Sequence, residues 1–166
     1  MVTHKEKDST VELRPVTDED REFLLEVYAA GREIELAVVP WDDAMKRAFV
    51  EHQFAAQDAH YQQEFPGSTH DVVLFDGEPA GRLYVHRMAN EIAILDMAVL
   101  PKFRKQGVAT TLIKELQSEA TRDHLSIRIF IETFNPADRL FTGLGFAETS
   151  SDGMSRRFEW TPPDRI

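Results

Sequence analysis

The chain contains no cysteine. That excludes a disulfide framework, a thiolate zinc site and a cysteine nucleophile. Long apolar runs are also missing, and none approaches the ~20 residues that a membrane-spanning helix needs. Residues 1–10 are charged and lack the apolar stretch of a secretory signal, so the cytoplasm is the expected compartment. Positive charge is in short supply: 19 Lys and Arg stand against 29 Asp and Glu, a net charge of −10. A nucleic-acid partner is therefore not expected, because such binding needs a basic surface to displace counterions. The acidic balance suits a cationic substrate and equally suits a surface that is simply well solvated. The six histidines (His4, His52, His60, His70, His86 and His124) show no His-Glu-x-x-His or similar spacing, so no metal site is expected. Glycine is sparse too, and neither Gly-x-x-x-x-Gly-Lys-Ser/Thr nor Gly-x-Gly-x-x-Gly occurs. A nucleoside-triphosphate loop and a dinucleotide fingerprint are thereby excluded.

What is present describes an ordinary folded domain. A chain of 166 residues with 42% hydrophobic and 10% aromatic residues is long enough for one real core. There is no repeat, low-complexity tract or internal linker, so residues 11–166 read as one domain behind a flexible 1–10. Residues 11–16 alternate as a first strand. Thr17 and Asp20 have the spacing of a capping box, opening a helix with Phe23, Leu24, Val27 and Tyr28 on its apolar side and Gly31 at its end. A second helix starts near Pro40 and stops at Pro66-Gly67. Strands are expected at 71–75, 80–86, 92–99, 126–133, 146–149 and 154–160, with a helix after residue 107 and a short one at 136–143. Two helices thus precede a strand meander, and one strand–helix–strand crossover makes a parallel pair.

That crossover carries the most informative segment, Ala98-Val-Leu-Pro-Lys-Phe-Arg-Lys-Gln-Gly-Val-Ala-Thr110. A strand runs into a basic, glycine-containing turn and then a helix whose stripe is Leu112, Ile113, Leu116 and Ala120. Gly107, Ala109 and Thr110 are small enough to let a ligand approach the main chain. The N–H groups of residues 105–110, with Arg104 and Lys105, would face that ligand, an arrangement suited to phosphate. The plainer alternative is a strand–helix connection with solvated cations.

Arg104-x-x-Gly107-x-Ala109 resembles the pyrophosphate loop of the GNAT superfamily of acetyl-CoA-dependent N-acetyltransferases. Asn135-Pro-Ala-Asp-Arg-Leu140-Phe141-Thr-Gly-Leu144-Gly145-Phe146 resembles the family's Asn-Pro-Ala-x-x-Leu-Tyr-x-x-Leu-Gly-Phe block, in the right order. The clear match covers residues 91–149. The resemblance implies a three-layer α/β fold with a largely antiparallel sheet of about seven strands, one parallel splayed pair, and helices on both faces. It implies acetyl-CoA as cosubstrate without a metal. Pantetheine would pair with the backbone of Met97, Ala98 and Val99, and the phosphates would meet Arg104, Lys105, Gln106, Gly107, Val108, Ala109 and Thr110. Asn135 would cap the short helix or touch the pantetheine arm, and Arg139 is an exposed helix residue or a further phosphate contact.

Without cysteine no acyl-cysteine can form, so acetyl transfer to a primary amine is expected by direct attack in a ternary complex. In the resembling enzymes an acid on the central strand orients the amine or relays its proton. Asp96 fits that place, since burying an unpaired carboxylate in Ile92-Ala-Ile-Leu-Asp96-Met-Ala-Val99 is costly unless it is paired or functional. Glu132 is the second candidate and Glu91 the third, each also readable as a solvated strand-end charge. Phe141 occupies the family's tyrosine position and cannot donate a proton to the leaving thiolate. That departure motivates an alternative, an acyl-CoA-binding sensor or interaction module with little turnover. For the acceptor, Tyr28, Glu33, Glu35, Trp41 and Tyr84 are the side chains to check. A small amine and a protein or peptide amine both stay open, as does a homodimer.

Overall fold

Seven strands hydrogen-bond into a single sheet in the order β1-β2-β3-β4-β5-β7-β6 in the computed structural model, which describes residues 9–133 and 135–163. They are β1 (Val11–Pro15), β2 (Thr69–Phe75), β3 (Glu78–Arg87), β4 (Glu91–Val99), β5 (Ser126–Glu132), β6 (Ala147–Ser151) and β7 (Ser155–Trp160). Only β4 and β5 run parallel, and every other neighbouring pair is antiparallel. The helix α4 (Val108–Asp123) makes the crossover that a parallel pair requires. The α/β sheet of seven strands with one parallel pair is as expected.

Helices cover both faces. On one, α4 buries Leu112, Ile113, Leu116 and Ala120 against Val85, Ile92 and Ile127 of the central strands. The short α5 (Asp138–Gly143) adds Phe141 to that core. On the other, α1 (Arg21–Gly31) and α3 (Asp43–Glu64) pack Leu24 and Leu25 against Val50 and Phe54. Asp42 caps α3 by accepting the Met45 N–H at 2.8 Å. The predicted Thr17–Asp20 pairing is present, with the Asp20 carboxylate accepting the Thr17 N–H at 2.8 Å. It closes a 3₁₀ turn ahead of α1, and the same carboxylate takes both Arg14 Nη atoms at 2.8 and 2.9 Å.

The first half departs from expectation in one element. A third helix, α2 (Glu33–Ala37), lies between α1 and α3 with no buried residue, so two helices become three. It has no apolar stripe by which sequence could reveal it. Thr10 exchanges hydrogen bonds with Asp76 just ahead of β1; residues 1–8, including His4, lie outside the described residues. No helix among the described residues is long and apolar enough to cross a membrane.

Candidate active site

β4 and β5 separate halfway along their length. Their pairing covers Glu91–Ile94 against Ser126–Ile129 and then stops, although both strands continue. On the other side of β4, the register against β3 slips between Tyr84 and Val85, which pair with Asp96 and Ile94. Leu95 is thus the extra residue of a β-bulge, and a bulge bends its strand locally. The Tyr61 hydroxyl of α3 donates to the Leu95 carbonyl at 2.8 Å, so the helix holds the bend in place.

A cavity of about 260 Å³ lies in the opening, lined by Asp96, Met97, Ala98, Ile131, Glu132 and Phe141 among others. A second, of about 250 Å³, is lined by Val99, Arg104, Lys105 and residues 107–110. One therefore follows the other along β4. At the second, Gly107 precedes α4 with φ +82°, and Lys105 is also left-handed at +62°. The first bond into the helix is Thr111 N–H to the Gly107 carbonyl, so the N–H groups of Val108, Ala109 and Thr110 are first-turn donors without helical acceptors. A Cβ on Gly107 would meet nothing within 4 Å, so the main chain is open on that side. Arg104 Nε donates to the Val99 carbonyl at 3.0 Å, tying the loop to the end of β4. Gln106 is placed differently from the other loop residues: it is not in the cavity wall, and its amide donates to the Lys102 carbonyl at 3.1 Å.

The deep end of the first cavity is charged on both sides. Asp96 keeps 29% of its side-chain surface, and its Oδ2 lies 3.0 Å from Arg82 Nε. Enclosure by protein pushes the Asp96 carboxyl above its ordinary value, while Arg82, Arg32 and the Met97 N–H pull it back. Arg32, just after α1, stands 3.4 Å from Glu132 and 3.1 Å from Glu35, with its guanidinium over the Tyr28 ring. Burial also raises Tyr61 far above a free phenol, so it stays protonated as the donor to Leu95.

Asp96 and Glu132 thus share one cavity with Met97, Ala98, Asn135 and Phe141. Asn135 Oδ1 accepts the Ala137 N–H at 3.0 Å, a turn ahead of α5 and not a cap, since Ala137 itself precedes the helix without a side-chain cap. Glu91 lies elsewhere, at the opposite end of β4, paired with Arg128 at 2.9 Å. Of the acceptor candidates, Tyr28 lines the cavity; Glu35 reaches it only through Arg32, and Glu33 lies on α2 outside it. Trp41 packs on Phe49 at 5.3 Å, and Tyr84 is buried beneath, stacked on His70 at 4.3 Å. Sequence reading missed Arg32, Gln57, Tyr61 and Arg82, all in the cavity wall. Arg82 sits in strand alternation with Tyr84 and His86, which reads as a solvent face; only the α3 residues packed over it reveal otherwise.

The fold recurs in solved structures. The PaiA N-acetyltransferase from Thermoplasma acidophilum in complex with coenzyme A superposes with a TM-score of 0.68 at 16% identity, over 92% of this chain and 99% of that one. An acetyltransferase from Thermus thermophilus gives 0.66 at 17%, covering 92% and 97%. The ribosomal-protein-S18-alanine N-acetyltransferase from Escherichia coli gives 0.59 at 16%, covering 90% and 91%. No curated protein matches the chain in sequence. Residues 32–163 match the family model described as an acetyltransferase (GNAT) domain. With that match spanning most of its length, the chain belongs to the GNAT family of acetyltransferases.

Proposed function

We propose that the protein moves the acetyl group of acetyl-CoA to a primary amine by direct attack in a ternary complex. The observation that carries this reading is the opening of β4 from β5 with Asp96 in its wall, continuous along β4 with the first-turn donors of α4. Pyrophosphate would accept from the N–H groups of residues 108–110, with Lys105 and Arg104 adding positive charge. The pantetheine amides would pair with the strand backbone of residues 97–99 as an added strand. The thioester then reaches the cavity where Asp96 and Glu132 lie.

An acceptor arriving as an ammonium must lose a proton before its nitrogen can attack. Asp96 is the base, directly or through one water, and Glu132, in the wall of the same cavity, holds the ammonium. The nitrogen lone pair forms the new C–N bond, the C–S bond breaks as the adduct collapses, and the surplus nitrogen proton passes to solvent or to the departing CoA thiolate. Phe141 supplies no proton, so the thiolate leaves as an anion or takes a proton from solvent. A thiol pKa near 8.5 makes that tolerable at neutral pH. Arg32 and Arg82 beside Asp96 and Glu132 balance the charge of the pocket, which favours an acceptor with one amine over a polyamine. Supply of acetyl-CoA is consistent with a cytoplasmic enzyme.

A sensor without turnover is the second reading, and Phe141 is the observation behind it. Thiol release in a screen of small amines and peptide N-termini separates the two. Amine-dependent release is expected, with Asp96→Asn lowering turnover by ~10²-fold or more while acetyl-CoA affinity stays within a few fold. Tight acetyl-CoA binding with no amine-dependent release would support the sensor.

A further inference from the structure

Arg82 is 1% exposed, an unusual place for a guanidinium. Its Nη2 donates to Gln57 Oε1 of α3 at 3.0 Å, and its head lies over the rings of Phe54 at 5.3 Å and Tyr84 at 5.6 Å. Toward β4, Nε is 3.0 Å from Asp96 Oδ2, close as an ion pair but without hydrogen-bond geometry. Nη1 has no partner among the described residues. Stability does not account for such a residue. A buried ion pair returns little over a well-packed apolar pair, and an unsatisfied buried donor costs free energy.

We propose that Arg82 is the positioning residue of the acceptor-activating carboxylate, fixing the direction of Asp96 and balancing its charge from beneath the cavity. The proposal rests on the reading of Asp96 as base. Asp96 stands opposite Tyr84 in the β3–β4 register, and Arg82 is two residues from Tyr84 on the same face of β3. Gln57 anchors the guanidinium from α3, and Tyr61, one turn further along α3, anchors the Leu95 bulge. The carboxylate is thus set by two clamps from one helix, one through the backbone of β4 and one through Arg82.

The groups around Asp96 decide what Arg82 does to its charge. Arg82 and Tyr84 face it from β3, Tyr61 from α3, Tyr28 and Arg32 from α1 and its end, and Glu132 from β5. His70 lies behind Tyr84 on β2 and is neutral at physiological pH. Burial and Glu132 favour protonated Asp96, and the two arginines oppose them. Arg32 also serves Glu132 and Glu35, which leaves Arg82 as the partner in direct contact with Asp96. Without it, Asp96 would hold a proton at higher pH and could not accept one from the acceptor.

Carbon-13 carboxyl NMR titration of the whole protein reads this without an acceptor, the Asp96 signal being assigned by its loss in Asp96→Asn. Arg82→Gln is expected to raise the Asp96 midpoint by one pH unit or more, and to move the acidic limb of kcat/KM upward equally. Arg82→Lys keeps the cation on a shorter reach, so it is expected to fold, to move the midpoint less, and to lower kcat/KM at least tenfold at unchanged acetyl-CoA affinity. In an Asp96→Asn background, Arg82→Lys should cost no more than a few fold. An unmoved midpoint in Arg82→Gln overturns the proposal. Should that variant not fold, wild-type midpoint and kcat/KM in Arg82→Lys overturn it. Wild-type turnover by Asp96→Asn would instead sink the base assignment itself, and with it any positioning role.

Discussion

At position 141 a phenylalanine closes the cavity wall, 1% exposed and edge-on to Phe146 at 5.1 Å between centroids. Its burial explains why an aromatic side chain is retained without the phenol: packing alone employs it. Phe141→Tyr would add a hydroxyl with little change of shape. If protonation of the thiolate limits the rate, turnover rises by up to ~10²-fold; if amine deprotonation or product release limits it, the rate hardly moves. A clear fall in activity at unchanged stability would contradict both. A second residue gives a pH signature. Burial first, and Arg82 second, lower the His70 pKa from 6.5 to about 4. Between those values the unfolded chain binds more protons than the folded one, so stability is lost as pH falls from about 6.5 toward 4. The depressed Asp20 carboxyl adds its own loss only below its ordinary 3.8, outside that window. Urea denaturation at pH 7 and pH 4.5 checks this: His70→Phe, which can still stack on Tyr84, should show a smaller drop than the wild type. An equal drop would mean that other groups carry it.

Elements written by local chemistry were legible from the sequence, and those written by distant packing were not. The turn around Gly107 and the stripe of α4 are neighbours in the chain, so spacing alone places them. The Leu95 bulge, by contrast, depends on a hydroxyl from Tyr61 of α3, and the Arg82–Asp96 pair joins two strands through α3 packing. Neither leaves a local pattern. Gly81 was equally silent: a Cβ there would run into the Ala98 carbonyl oxygen across the β3–β4 pair, so the close approach beside the cavity requires glycine. The two glycines should therefore separate binding from folding. Gly81→Ala is expected to lower Tm more than Gly107→Val does, because the second meets no protein atom and bears only the left-handed strain of ~1–2 kcal/mol. Gly107→Val should weaken acetyl-CoA binding by more than Arg104→Ala, itself expected at about tenfold. Calorimetric titration and thermal melts of the three variants check this. Wild-type affinity in both loop variants would mean that the phosphates bind elsewhere.

At the scale of the molecule, a sheet covered on both faces is opened from one edge of its parallel pair, and the charges gather where it opens. Such an opening needs support from both sides, and it has it. The α4 core grips the paired halves of β4 and β5, while α3 holds the separated half of β4 through Tyr61 and, by way of Gln57, through Arg82. Solved structures at only 16–17% identity keep the same overall fold. The central claim is that acetyl-CoA lies along β4, with its phosphates on the first turn of α4 and its thioester beside Asp96. Titration of nitrogen-15-labelled protein with acetyl-CoA, followed by amide chemical shifts, tests it most directly. The largest changes should fall at residues 97–99 and 105–110, with smaller ones at 130–132. Changes confined to residues outside both cavities, or none at all at saturating acetyl-CoA, would contradict it.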